Sequence, residues 1–263
     1  MSSTLYCVDV ETTGIDLKND RLIQLAFLKV RDGNIEAFND LCYTDVEISE
    51  QAMAVHRITP AMLEDKYWPE ETESFLELER GNVPENFFIS HGNELDKTML
   101  AHEELEIVMQ CIDTDRCARQ LLSDARSFKL ENLIEQYGLA PKARKIAAEL
   151  GIENIDAHDA LSDALWHYAL FDFLLQKAGG DIERLVELTA KPQMLEKITF
   201  GKHKNKTFEA VMQKDPLDMV WMYVNIAPDW EDLDYTLTYW LKTKEYFWKK
   251  AQKERKEAMA IRL

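Results

Sequence analysis

Leu5-Tyr6-Cys7-Val8-Asp9-Val10-Glu11-Thr12-Thr13-Gly14 is the stretch on which the fold turns. Leu5 to Val10 is a short apolar run rich in β-formers, which predicts a buried strand. Cys7 inside it reads as a small apolar side chain. Asp9 and Glu11 stand two residues apart, so in a strand they point to the same side. Two carboxylates on one face at the end of a buried strand repel, and burying unmatched charge is expensive. A divalent cation is the economical compensation, since Mg²⁺ and Mn²⁺ prefer hard oxygen ligands and accept a few carboxylates plus water and phosphate. Thr12-Thr13-Gly14 then closes the strand in a polar turn.

Working outward, Leu22 to Val30 and Ile35 to Tyr43 read as two further strands. Between them lies Arg31-Asp32-Gly33-Asn34, and Asp-Gly is a strong hairpin signal. Thr59-Pro60 looks like a helix start, with a helix through Met62 and Leu63. Asn86 to Ser90 reads as a buried strand, Glu94 onward as a helix, and Val108 to Ile112 as a fifth strand followed by a helix through Leu121. Lys129 to Tyr137 and Ala143 to Leu150 are helical stretches ending at Gly138 and Gly151. The spacing of Leu161, Ala164, Leu165, Tyr168, Phe171 and Leu175 predicts a long helix from near Asp159 to Lys177, closed by Gly179-Gly180. Strands first, then strands alternating with helices, make an α/β domain with a mixed β-sheet. A boundary is expected near 180–195, where Gly-Gly and Lys191-Pro192 punctuate the chain.

Two more motifs join the first. Ser90-His91-Gly92-Asn93-Glu94-Leu95-Asp96 follows a strand and opens a helix, which puts Asp96 near the carboxyl end of that strand. His158-Asp159-Ala160-Leu161-Ser162-Asp163 puts His158 just before the long helix and Asp163 in its first turns. Four acidic residues from three separate elements plus one histidine fit a two-metal phosphoryl-transfer site. A free histidine side chain titrates near neutrality, which suits a residue of this type at position 158 to take a proton from water.

The net charge is −17, which argues against a general nucleic-acid coat protein. It is uneven. Residues 191–263 hold 14 Lys and Arg against 11 Asp and Glu, and subtracting these from the chain totals of 31 and 48 leaves 17 and 37 in residues 1–190. The two parts therefore carry about +3 and −20, which suggests two modules. The four cysteines form no C-x-x-C pair, so neither a zinc site nor a disulfide scaffold is expected. No signal peptide or membrane span is read, and a soluble, cytoplasmic protein is expected.

The motifs resemble those of the DEDDh 3′→5′ exonucleases, the RNase T or DNA polymerase III epsilon-like superfamily, with exonuclease X-like proteins the nearest likeness. Val8 to Gly14, His91 to Asp96, and the H-x-x-x-x-D of His158 to Asp163 match its three motifs. Position 159 is Asp rather than Tyr, so the histidine subtype is the better match. Ala54-Val55-His56-Arg57-Ile58-Thr59-Pro60 resembles the family's "VHGIT" segment. Ser127-Phe128-Lys129-Leu130-Glu131-Asn132-Leu133 resembles its "S-x-K-L-x-x-L" helix start. The resemblance implies an RNase H-like mixed sheet flanked by helices over residues 1–180. It implies that Asp9, Glu11, Asp96 and Asp163 bind two divalent cations, Mg²⁺ with Mn²⁺ able to substitute, and that His158 is the general base. It further implies that Val10, Thr12, Thr13 and His56 contact the terminal nucleotide. Gly92 stands where many relatives have Asn, so either Asn93 serves in its place or a substrate contact is missing.

Ile198-Thr199-Phe200-Gly201-Lys202-His203-Lys204-Asn205-Lys206-Thr207-Phe208 resembles the "F-G-K-H-K-G-K" segment of exonuclease X-like proteins, which implies a Lys-rich, aromatic C-terminal module over 195–263. Alternating Lys with Phe200, Phe208, Trp221 and Tyr223 fits either single-stranded backbone with stacked bases or a structural core. The expected activity is hydrolysis of DNA from 3′ ends, single-stranded or frayed, in repair, degradation or proofreading, with a polymerase or repair protein as further partner. Arg126, Lys129, Lys142, Arg144 and Lys145 are the local basic residues that phosphate would meet. Two other readings stand beside it: a 3′→5′ exoribonuclease or oligonucleotide trimmer, and a non-catalytic nucleic-acid-binding or polymerase-associated module.

Overall fold

The computed structural model describes residues 2–153 and 158–262. It divides into two compact units, residues 1–190 and 191–263.

The first unit is built on a mixed five-stranded sheet of order β3-β2-β1-β4-β5, flanked by helices in an RNase H-like arrangement. Its strands are β1 (Leu5–Thr12), β2 (Leu22–Arg31), β3 (Asn34–Leu41), β4 (Phe87–Ser90) and β5 (Gln110–Asp113). β1 lies at the centre, antiparallel to β2 and parallel to β4. The β2–β3 turn is the expected hairpin: Asp32 and Gly33 both adopt positive φ, 51° and 82°, as a two-residue primed turn requires. The helices are α1 (Glu50–His56), α2 (Pro60–Leu63), α3 (Glu73–Gly81), α4 (Glu94–His102), α5 (Thr114–Leu121), α6 (Leu130–Gln136), α7 (Ala140–Glu149), α8 (Ala160–Lys177) and α9 (Ile182–Ala190).

Strand alternation sorts the core into two layers. Tyr6, Val8 and Val10 of β1 join Phe27, Phe88, Phe75 and Leu100 on one face of the sheet. Cys7 joins Leu28, Ile89, Ile112 and the buried side of α8 on the other. Asp9 and Glu11 continue the Cys7 side, so they emerge beneath α8. Between Glu11 and Thr12 the pairing with β2 shifts register, a bulge of the kind that re-aims a strand end.

Three helices go beyond what the sequence pattern predicts. α1 and α3 are short and start on the hydroxyls of Ser49 and Thr72, which accept from Ala52 N–H and Phe75 N–H. α9 extends the first unit past the expected end at 180. Leu185 and Leu188 bury completely or nearly so against its core, and the Thr189 hydroxyl accepts from Asp113 N–H at 2.9 Å.

The second unit is helical: α10 (Phe208–Lys214), α11 (Pro216–Asn225), α12 (Glu231–Lys242) and α13 (Glu245–Arg262). They enclose their own core of Phe208, Met219, Val220, Leu233, Leu237 and Leu241. No helix among the described residues is long and apolar enough to cross a membrane.

Candidate active site

Asp9 and Glu11 on β1 and Asp163 in the first turn of α8 each bring a carboxylate oxygen within 4.8 Å of the others. The strand supplies two of these groups because of its period of two. The helix supplies the third because α8 packs across β1 and β2. Asp96, in the first turn of α4, is buried and lies outside that trio of mutually close oxygens, yet its charge acts on both Asp9 and Glu11.

Gathering like charges out of water favours their neutral forms. Burial, then the neighbouring Asp163 and Asp96, hold Asp9 well above the usual carboxylate range. Burial and the Asp163 charge push Glu11 up to about 8. Burial raises Asp96 and Asp163 to about 7 each. Among the described residues no lysine or arginine pairs with any of the four. An all-oxygen donor set whose members resist ionisation on their own fits Mg²⁺ or Mn²⁺, whose charge inverts that preference.

His158 directly precedes the helix that carries Asp163. It is exposed, adopts φ 64°, and its N–H donates to Asp163 Oδ2 at 3.2 Å. A left-handed non-glycine residue is held there by its surroundings, and Asp159 and Gln24 supply the hold. Asp159 caps α8, its Oδ2 accepting from the Ser162 N–H at 3.1 Å and the Ser162 hydroxyl at 2.8 Å. Its Oδ1 accepts from Gln24 Nε2 at 3.1 Å, and Gln24 Oε1 accepts from Ala160 N–H at 3.4 Å. Gln24 sits on β2 directly opposite Glu11 and donates also to Asn39 Oδ1 at 2.9 Å. This buried amide therefore ties the start of α8 to the sheet. Nothing in the sequence singles it out, because its partner is 135 residues away.

His167, one helical turn beyond Asp163, is equally hidden in the sequence. Its Nδ1 lies 2.9 Å from the Val8 carbonyl, which only accepts, so Nδ1 carries the proton. Nε2 is left 3.6 Å from Asp9 Oδ1. Burial pushes this imidazole down to about 3, so it remains neutral beside the carboxylates.

Asp113, at the end of β5, orders the second motif. Its Oδ1 accepts from the N–H groups of Gly92 (3.0 Å), Asp115 (2.9 Å) and Arg116 (3.2 Å), and its Oδ2 from Asn93 N–H at 3.2 Å. Gly92 adopts φ 79°, a conformation glycine accepts without strain. Asn93 is buried, and among the described residues its Nδ2 has no hydrogen-bond partner.

A pocket of about 390 Å³ adjoins the carboxylates, lined by Val10, Glu11, Thr12, Gly14, Ser49, Val55, His56 and Leu95 among others. His56 Nδ1 accepts from Ile58 N–H at 3.0 Å, so its Nε2 carries the proton, and among the described residues that buried atom makes no well-formed hydrogen bond, although the Thr12 backbone also acts on the ring. Burial lowers the His56 pKa. Arg57, where the "VHGIT" string has glycine, takes φ 63°. Thr13 is held inside the turn. It has zero exposure, does not line the pocket, and its hydroxyl donates to Asp20 Oδ1 at 2.7 Å. Asp20 closes the turn, lying so near that a Cβ on Gly14 would meet its carboxylate at 2.5 Å. Lys142, one of the local basic residues, is paired with Asp172.

The RNase T family model, described as "Exonuclease", matches residues 6–171. Exodeoxyribonuclease 10 of Escherichia coli (strain K12) is 28% identical over 239 residues, covering 90% of this chain and 99% of its own length. The PolC-type DNA polymerase III of Thermotoga petrophila is 30% identical over 147 residues, 53% of this chain and 10% of that protein. Exonuclease X in complex with 5′-overhanging duplex DNA superposes with a TM-score of 0.52 at 26% identity, covering 71% of this chain and 99% of that one. Escherichia coli exonuclease I in complex with a dT13 oligonucleotide shares the fold, with a TM-score of 0.53 at 19% identity over 73% of this chain and 47% of that one.

Proposed function

The chain belongs to the RNase T family of exonucleases, and on that premise we propose that it removes nucleotides from the 3′ ends of DNA, with His158 as general base and Asp9, Glu11, Asp96 and Asp163 as ligands to two divalent cations. The observation that carries this reading is the convergence of Asp9, Glu11 and Asp163 within 4.8 Å beside a histidine held by a backbone bond to one of them. When bound there, divalent cations supply Lewis-acid stabilisation of the phosphate and acidify a water.

The chain's own groups supply the rest. The His158 ring, outside the buried layer, accepts a proton and passes it to solvent. Gln24 and Asp159 fix the backbone from which it reaches. Among the described residues His56 Nε2–H and Asn93 Nδ2 are buried donors that make no well-formed hydrogen bond, so a substrate oxygen at either would repair that deficit. Val10 and Thr12 wall the pocket where the terminal sugar and base sit. The DNA assignment draws on the relatives, one named as an exodeoxyribonuclease and one solved with DNA.

The test is direct. The protein is incubated with 5′-labelled single-stranded DNA, duplex DNA and RNA, in Mg²⁺, Mn²⁺ or chelator. The expected result is a ladder shortening from the 3′ end on DNA and abolished by chelation. Equal rates on RNA would replace DNA with a broader substrate, and no hydrolysis of any polymer would overturn the reading.

A further inference from the structure

The second unit holds a pocket of about 370 Å³ that the nuclease reading leaves unused. Phe200, Gly201, Lys202, His203, Trp221 and Met222 line it, with Asp218 on the wall. Phe200 to Thr207 is a knot of tight turns. Ile198 N–H donates to the Lys206 carbonyl at 2.9 Å, and Asn205 N–H donates back to the Ile198 carbonyl at 2.8 Å. Gly201 and Asn205 take positive φ, 59° and 69°. The knot leaves Lys202, Lys204 and Lys206 on the surface.

α11 turns Met219, Val220, Met222 and Tyr223 inward and leaves Trp221 54% exposed beside that turn. A large indole half in water, in a concave site beside lysines, is a contact surface rather than core. Lys202 Nζ is engaged by the carboxylates of Asp215 at 3.1 Å and Asp218 at 3.0 Å, and His203 Nε2 lies 2.9 Å from Asp218, so the charge left to meet an anion falls to Lys204 and Lys206. Residues 191–263 carry 14 Lys and Arg against 11 Asp and Glu, so this unit attracts what the rest of the chain repels.

We propose that this pocket is a second nucleic-acid site, in which Trp221 and Phe200 take an unpaired base of single-stranded DNA and Lys204 and Lys206 meet its phosphates. Base stacking on aromatics with lysines along the backbone is the general chemistry of sequence-tolerant single-strand binding. The choice of DNA as the polymer rests on the exonuclease reading. The site gives a strongly acidic nuclease a second hold on its substrate.

The experiment measures fluorescence anisotropy of a labelled dT20 oligonucleotide with the full chain in chelator, where cleavage stops and the cation-free carboxylates repel phosphate. Trp221→Ala and the pair Lys204→Glu, Lys206→Glu are each expected to weaken binding tenfold or more. The lysine pair is also expected to flatten the salt dependence, by about 0.7 in log–log slope for each phosphate no longer neutralised. Trp221 is half exposed, so an unchanged melting temperature serves as the control for folding. Parent-like affinity in both variants would overturn the proposal, as would a preference for U20 over dT20. Cleavage in Mg²⁺ is scored separately. Trp221-dependent binding without cleavage sinks the catalytic reading alone, and cleavage without Trp221-dependent binding sinks the pocket alone.

Discussion

The two units treat acidic side chains in opposite ways. Beneath α8, Asp9, Glu11 and Asp163 crowd together with no lysine or arginine among the described residues pairing with them, and burial pushes Glu11 to about 8 and Asp163 to about 7. In the second unit Asp215 and Asp218 are as close to one another, yet Lys202 lies 3.1 Å and 3.0 Å from them and His203 faces both. Asp234 likewise pairs with Arg255. The contrast teaches how to tell a site from a brace. Acids matched by internal bases complete themselves, whereas buried acids without them need a partner from outside.

The largest test of that contrast is Asp9→Asn, which is expected to lower kcat on a 5′-labelled oligonucleotide by about a thousandfold or more, the scale set by losing charge stabilisation of the transition state. Full activity in that variant would break the comparison. Removing the proposed base in His158→Ala is expected to cost about a hundredfold in kcat, within the range for general acid–base catalysis, with a smaller change in KM.

Gln24→Leu sharpens the picture further. It removes the bonds that hold the start of α8 and is expected to lower kcat roughly tenfold, equivalent to about 1.4 kcal/mol in the barrier. In a His158→Ala background it should do almost nothing more, because it acts through that residue. Additive losses would show that Gln24 supports the fold alone.

Stability against pH reads the same difference without catalysis. Carboxyls with raised folded pKa values give stability that is fully present below about 4, their ordinary range, and lost as pH rises through about 7 and 8. In chelator the melting temperature of the first unit should therefore fall between pH 5 and pH 8. Saturating Mn²⁺ should raise it by about 5 °C at the higher pH and by less at the lower. A pH-independent gain would contradict the uncompensated cluster. The smallest effect is expected from Asp215→Asn in the second unit, less than about 1 kcal/mol by denaturant titration, because Lys202 is 63% exposed and pairs of that kind contribute little.

Much of the first unit was legible in the chain. Apolar runs rich in β-formers marked β1 and β2, Asp32-Gly33 marked the hairpin, and Gly138, Gly151 and Gly179 marked helix ends that do take positive φ. The short helices were not legible. α3 buries little beyond Phe75 and Leu78, and α9 little beyond Leu185 and Leu188, too few apolar positions for a period to stand out. The bond from Thr13 to Asp20 was not legible either, because a motif shows which residues adjoin a site but not which way a turn points them.

By itself the sequence determined that Asp9 and Glu11 share a strand face, that Asp163 opens a long helix behind a histidine, and that the charge divides between the two ends of the chain. Those are local facts, set by backbone period and residue type. Only the tertiary structure decided that α8 lies over β1, which brings Asp163 to Asp9 and Glu11. It alone decided that Gln24 holds the cap of that helix and that His167 backs Asp9. It also decided which acids are answered by a base. Each depends on groups far apart in the chain, and burial and pairing exist only once the elements pack.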